Sequence, residues 1–395
     1  MQAFEHRLQQ EQQQRQDQGL ERRLYTVQAA GQGRIVSNRH AFLNLAGNDY
    51  LGLGSNQELV AEFYKSLAPE NCLELYGPGS GASRLMTGNH TEYQALETKL
   101  ADLYGTEKAL IFNSGYHANI GLLPALAGKD DLIIADKLCH ASLIDGMRLC
   151  RAKIIRYPHL DYGCIEGLLG KYRESRKTIF IVSESIFSMD GDCADVALLT
   201  RLKEQHNAVL YLDEAHAVGV RGKQGLGLAE EQGVREKVDL LVGTFGKAWA
   251  GQGAFVACNK TIYEHLINTV RSLIFTTALP MVNVHWLNFL LPRIAAMAEQ
   301  RKTLLHNARL LRKGLLEQGL VSEGDSQIVP VLIGEAHRAV AVAEQLRQQG
   351  YWINAIRPPT VPQGSSRLRL SVTLDCTPED LTHLPQIIAE TAAAL

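Results

Sequence analysis

From residue 108 onward, short apolar runs alternate with longer helix-like stretches. The runs are KALIFNSG (108–115), DLIIADK (131–137), KIIRYPH (153–159), TIFIVSES (178–185), AVLYLDEAH (208–216), DLLVGT (239–244) and GAFVAC (253–258). Several are apolar throughout rather than alternating, as expected of strands covered by helices on both faces of a parallel sheet. The pattern predicts an α/β fold with a mainly parallel sheet. After about residue 280 the rhythm changes: a long helical stretch (286–318) precedes QIVPVLIG (327–334), YWINAIRPPTVP (351–362) and SRLRLSVTL (366–374). In the last run Leu368, Leu370, Val372 and Leu374 alternate with Arg367 and Arg369, which predicts a half-exposed strand. A final helix opens at Thr377-Pro378 with Asp380 completing its cap. This part reads as a smaller α+β domain.

Ahead of the rhythm the pattern is weaker. Residues 1–24 are polar and predict a marginal helix at best. FLNLAGNDYLGLG (42–54) predicts a strand running into a turn, with Asn48 in the turn. NHTEYQALETKLADLYG (89–105) predicts a helix, with Asn89 and Glu92 as capping box and Gly105 as stop. The expected organisation is an N-terminal arm (1–45), a large domain (46–280) and a small C-terminal domain (281–395).

Ligands of parallel sheets sit at the carboxyl ends of the strands, and polar residues gather there. Ser114, Gly115 and Tyr116 follow one strand, and His140 lies just past another. Glu184 and Ser188, Asp213 and His216, and Thr244 and Lys247 follow the others. Lys247 stands between two apolar strands in a turn with Gly246, Gly251 and Gly253, glycines that let backbone pass close to a ligand. Hemmed by apolar and small residues, its amine favours the neutral form and can attack a carbonyl to form a Schiff base. A phosphate-loop lysine is excluded, because Leu241 and Ala248 stand where that motif needs Gly and Ser or Thr. A solvated loop lysine is the plain alternative.

Composition narrows the class. The 395 residues are 46% hydrophobic and 21% charged, with a formal net charge of −2, which offers no electrostatic reason for nucleic acid or an anionic membrane as partner. The seven cysteines are scattered with no C-x-x-C pair, so neither a zinc site nor a disulfide framework is expected, and a reducing cytoplasm is. No apolar signal segment or membrane span is visible. Gly77, Gly79 and Ala82 formally match the dinucleotide fingerprint, which would make the chain a dehydrogenase, but no convincing strand leads into Gly77.

A Schiff-base lysine, a carboxylate and histidines at strand ends suit pyridoxal 5'-phosphate. That cofactor needs an amine for its aldehyde, an anion opposite its ring nitrogen, a phosphate cradle and a ring clamp. Asp213 at a strand end would keep the ring nitrogen protonated. SGYHAN (114–119) opens a helix whose first N–H groups can hold the phosphate.

At these residues the chain resembles the α-oxoamine synthases, pyridoxal-phosphate enzymes that share the aspartate aminotransferase fold. The likeness runs over nearly the whole length, through NDYLGL (48–53), GSGASRLMTGNH (79–90), DKLCHASLIDG (136–146), ESIFSMDGD (184–192), LDEAHAVGVRGKQGLG (212–227), TFGKAWAGQGA (244–254) and RPPTVPQGSSRLR (357–369). The resemblance implies that Lys247 carries the cofactor and acts as base, Asp213 pairs with the ring nitrogen, His140 stacks on the ring and His216 bonds its phenolic oxygen. It implies that Gly115 and Tyr116 hold the phosphate with Thr244 and Ser188, and that Thr277 reaches a phosphate across a homodimer interface. Arg369 would bind the amino acid carboxylate with Asn48 close by; Arg22 and Thr360 would belong to the acyl pocket, although Glu21-Arg22-Arg23 leaves two arginines for that place. The implied reaction is a decarboxylating condensation of an amino acid with an acyl thioester, borne on coenzyme A or on acyl carrier protein. AIRPPTVPQGSSRLR (355–369) is most similar to members that join L-alanine to a pimeloyl thioester in biotin synthesis; members using glycine with acetyl or succinyl thioesters are the alternative.

Overall fold

The structure is a computed structural model and describes residues 1–395. An N-terminal helix, Gln2–Asp17, buries none of its residues. It is longer than its composition suggests, and i,i+4 side-chain pairs such as Arg15–Glu11 line its exposed surface. Three short strands follow: β1 (Gln28–Gly31), β2 (Arg34–Ser37) and β3 (His40–Asn44).

Next come the seven strands foreseen from the apolar runs: β4 (Lys108–Phe112), β5 (Leu132–Asp136), β6 (Lys153–Tyr157), β7 (Ile179–Glu184), β8 (Val209–Asp213), β9 (Leu240–Thr244) and β10 (Ala254–Cys258). They form one sheet in the order β4-β10-β9-β8-β7-β5-β6. The β5–β6, β5–β7, β7–β8 and β8–β9 pairs are parallel, and β10 runs antiparallel to both its neighbours. Strands β5, β7, β9 and β10 are buried at every residue, which explains their unbroken apolar runs. Register lines up the functional ends: Glu184 pairs with Asp213, Asp213 with Val242, and Ala254 with both Thr244 and Phe112.

The last strands are β11 (Ile328–Gly334), β12 (Tyr351–Trp352), β13 (Asn354–Ile356) and β14 (Ser366–Ser371). Strand β14 lies between β11 and β13, whereas β12 pairs in parallel with β3. The chain divides into two compact units, one of residues 57–187 and 193–301, the other of 1–56, 188–192 and 302–395. This differs from the expected boundaries, because the β3–β12 pairing ties the N-terminal arm to the C-terminal residues. The boundary at 301/302 falls inside the helix Ala298–Glu317.

Three local expectations are corrected. His90, not Asn89, is the N-cap of the helix Thr91–Tyr104, and no side chain caps it. Asn89 accepts from Arg84 instead, and Glu92 accepts from Asn288, so tertiary partners outbid the capping box. Strand β14 is not half-exposed: Arg369 and Ser371 are buried opposite Leu368 and Leu370, their polar atoms bonded to each other and to neighbouring oxygens. The stretch 286–318 is two helices, Met281–Ala296 and Ala298–Glu317. The Gly105 stop, in the left-handed region, and the Thr377–Asp380 capping box are both present.

Candidate active site

In the larger unit the polar strand ends meet. The turn after β9 is closed by backbone bonds from Phe245 N–H to Gly253 O (2.9 Å) and from Gly251 N–H to Phe245 O (2.8 Å). Phe245, Ala248 and Trp249 are buried around Lys247. A Cβ on Gly251 would meet Leu287, and Gly253 has φ +114°, so these glycines serve the packing of the turn rather than a ligand's approach. Lys247 is half-buried, and its Nζ lies 2.9 Å from His216 Nε2. It is not the solvated loop lysine of the plain alternative. His216 is itself buried and stands three residues past Asp213 on the neighbouring strand end.

Asp213 is buried, with Oδ1 accepting from Ala215 N–H (2.9 Å) and Oδ2 from Asn119 Nδ2 (2.7 Å). The charges of Asp213 and Lys247 both act on the His140 ring and on the Glu184 carboxyl. His140 is exposed, and the desolvation of its inner edge, followed by the positive charge of Lys247, lowers its pKa against the opposing pull of Asp213 and Asp145. Glu184 accepts from the His140 backbone N–H. Burial, then the Asp213 charge, pushes its carboxyl up to about 8.

That shift has a thermal consequence. The folded protein keeps a proton on Glu184 up to about pH 8 that the unfolded chain releases near 4.5. Its contribution to stability is therefore full below pH 4.5 and is lost as pH rises through 8. Glu184→Gln, which keeps an acceptor for His140 N–H, is expected to gain in Tm relative to the natural protein as pH goes from 5 to 8. A difference in Tm that stays constant over that range would contradict the buried neutral carboxyl.

Ser114 caps the helix Gly115–Leu126, its side chain accepting from His117 N–H. No protein acceptor takes the N–H groups of Gly115 and Tyr116, two of the orphan donors that open any helix. A Cβ built on Gly115 would lie 3.8 Å from Thr244 Oγ1, so Thr244 lines the same concavity. The Thr244 hydroxyl donates to Gly253 O (3.0 Å) and accepts from Gly246 N–H (3.2 Å). Tyr116 points outward, bonded to Asp145 (2.7 Å), and Thr277 is exposed.

These residues fit pyridoxal 5'-phosphate: unengaged N–H groups at a helix start for a phosphate, a buried carboxylate, and an amine within reach of a histidine nitrogen. They do not fit a dinucleotide at residues 77–82. The short helix Cys72–Leu75, not a strand, precedes Gly77, which removes the dehydrogenase alternative.

The smaller unit holds a second cluster. The buried Arg369 guanidinium donates to Ser188 O (2.6 Å), Ser371 Oγ (2.8 Å), Asn48 Oδ1 (3.2 Å) and Tyr50 Oη (3.4 Å). Every one of these acceptors is neutral, so the charge has no carboxylate partner of its own. Arg22 reaches Thr360 Oγ1 at 3.3 Å, whereas Arg23 turns to Glu21 (2.8 Å). Of the two arginines, Arg22 is thus the one beside Thr360. Both line a cavity of about 980 Å³ with Tyr25, Arg347, Trp352 and Arg357. Arg357 anchors the arm by donating to the Gly19 and Glu21 carbonyls.

Sequence reasoning passed over Asn119, Ser142, Tyr211 and Tyr50. Two of these had a signal: Tyr211 shares the Asp213 face of β8 by the period of two, and Asn119 lies one helical turn after Gly115.

The profile of the class I and II aminotransferases matches residues 41–388. A putative 8-amino-7-oxononanoate synthase of Glaesserella parasuis is 49% identical over 358 residues, 89% of this chain and 92% of that one. The 8-amino-7-oxononanoate synthase of Chlorobaculum parvum is 47% identical over 354 residues, 89% of each chain. Among solved structures, a serine palmitoyltransferase variant from S. paucimobilis with a bound PLP–myriocin aldimine superposes with TM-score 0.88 at 29% identity, over 98% of this chain and 97% of that one. An 8-amino-7-oxononanoate synthase from Francisella tularensis superposes with TM-score 0.74 at 27% identity, over 89% and 98%.

Proposed function

Because the chain belongs to the class I and II aminotransferase family, we propose that it is a pyridoxal-phosphate acyltransferase joining L-alanine to a pimeloyl thioester. The observation that carries the cofactor reading is the Lys247–His216 contact beside the buried Asp213. The substrate pair is supported by relatives 45–49% identical that bear the name 8-amino-7-oxononanoate synthase or putative 8-amino-7-oxononanoate synthase. In the reaction a carbon–carbon bond forms between alanine Cα and the thioester carbonyl, the thiol leaves, and the alanine carboxylate departs as carbon dioxide.

The bound cofactor would supply an electron sink for Cα. Lys247 Nζ takes the Cα proton and returns one after carbon dioxide is lost. His216 holds the amine in place, with Nε2 2.9 Å away. Asp213 would face the ring nitrogen of the bound cofactor, His140 would cover its ring and His216 would also bond its phenolic oxygen. The Gly115 and Tyr116 N–H groups would hold the phosphate with Thr244 and Ser188. Arg369, with Asn48, takes the amino acid carboxylate, an anion its neutral partners leave it able to accept. Arg22 and Thr360 receive the distal carboxylate of the pimeloyl chain. The enzyme would work as a homodimer in which Thr277 would reach the phosphate held by the other subunit. The thioester is borne on coenzyme A or acyl carrier protein. No helix is long and apolar enough to cross a membrane. The cysteines are all free thiols, which suits a reducing cytoplasm.

Three tests address this directly. The protein with added cofactor is expected to be yellow and to bleach with sodium borohydride. Alanine with pimeloyl thioester is expected to be turned over in preference to glycine with acetyl or succinyl thioester; turnover of glycine alone would overturn the substrate assignment. Arg369→Lys keeps the charge but loses the planar fork, and is expected to raise KM for alanine about 10- to 100-fold. An unchanged KM would take Arg369 out of the amino acid site.

A further inference from the structure

Three buried side chains beside the site, Tyr211, Asn119 and Ser142, form a connected set that links Asp213 to His140. Tyr211, Asn119 and Ser142 are at most 1% exposed, and burial holds the Tyr211 phenol protonated by raising its pKa well above the usual value. Its hydroxyl donates to Asn119 Oδ1 at 2.6 Å. That fixes the amide's orientation and leaves both Nδ2 protons for donation. One goes to Asp213 Oδ2 (2.7 Å) and the other to Ser142 Oγ (2.9 Å). Ser142 therefore accepts from Asn119 and has its own proton free to give.

Its Oγ lies 2.8 Å from His140 Nδ1, to which it donates when that nitrogen carries no proton. The Ser142 backbone N–H also donates to Nδ1 (3.2 Å), because the His140 side chain caps the helix Ala141–Leu149. Two donors converging on Nδ1 leave no room for a proton there. An imidazolium would set its Nδ1–H against the Ser142 backbone N–H.

We propose that Asn119 and Ser142 are positioning residues, forming a directed relay from the Asp213 carboxylate that holds His140 as the neutral imidazole with its proton on Nε2. The lowering of the His140 pKa by desolvation and by Lys247, against Asp213 and Asp145, acts in the same direction. The functional weight of the relay rests on the cofactor reading. A carboxylate that keeps the cofactor's ring nitrogen protonated would also keep the covering histidine uncharged, so two cations are never stacked face to face.

The test is nitrogen-15 NMR of the histidine-labelled full-length protein, with and without pyridoxal 5'-phosphate. The natural protein is expected to show His140 neutral, with the proton on Nε2. Ser142→Ala removes one donor to Nδ1, worth about a fivefold fall in the ratio of the Nε2–H to the Nδ1–H form. Ser142→Thr, which keeps the hydroxyl, is expected to restore the ratio. Asn119→Ala is expected to lower it with Ser142 intact; should that variant not fold, Tyr211→Phe loosens the same amide. A natural protein with the proton on Nδ1, or a folded Ser142→Ala protein with an unchanged ratio, would overturn the relay. The spectrum without cofactor reads the relay alone, so a failed borohydride test would sink the cofactor reading and leave the relay standing.

Discussion

Lys247→Ala is expected to lower turnover of alanine and pimeloyl thioester by about 10⁴-fold or more, the loss that follows when one residue is both covalent anchor and base. The fold should survive, because Lys247 is half-buried on a turn held by backbone bonds between Phe245, Gly251 and Gly253. The variant should also lose borohydride-fixed mass. Two measurements thus bear on one residue: the rate and the mass of the reduced protein. A Lys247→Ala protein that still fixes the cofactor with borohydride would move the reactive amine elsewhere.

Asp213→Asn should have the second largest effect, lowering kcat by about 10²–10³-fold, the range seen when one preorganised electrostatic partner is removed. Here the change also strikes the carboxylate's own supports. Asp213 accepts from Ala215 N–H on one oxygen and from Asn119 on the other. A carboxamide meets the same two donors with a single acceptor to offer, so one contact becomes donor against donor. The variant is therefore expected to hold the cofactor less tightly as well as to turn over more slowly, measured by absorbance titration alongside kcat. Should kcat be unaffected, Asp213 would have no part in the chemistry.

Much of the candidate site was legible along the chain. Strand ends carry the ligand in a parallel sheet, so Asp213 at the end of β8 and Lys247 in the turn after β9 could be placed from the apolar runs alone. Helix-start geometry likewise brought out Gly115 and Tyr116. Arg369 stood out for its alternation with leucines, but the pattern gave the wrong environment. Alternation separates apolar from polar residues and does not tell a solvated face from one buried through hydrogen bonds to Ser188, Ser371, Asn48 and Tyr50.

What the sequence determined by itself is local. The seven strands of the large sheet, the Gly105 stop and the Thr377 cap follow from periodicity, backbone sterics and bonds spanning a few residues. Only the tertiary structure decided which distant residues share a unit, since the β3–β12 pairing joins segments some three hundred residues apart. It also decided that Arg84 takes Asn89 from its expected cap, that Arg22 rather than Arg23 meets Thr360, and that Asn119 joins Asp213 to His140 through Ser142. The physical reason is common to all of these. A side-chain hydrogen bond extends about 3 Å, and whether two groups come that close depends on how the whole chain is packed, which no short window of residues contains.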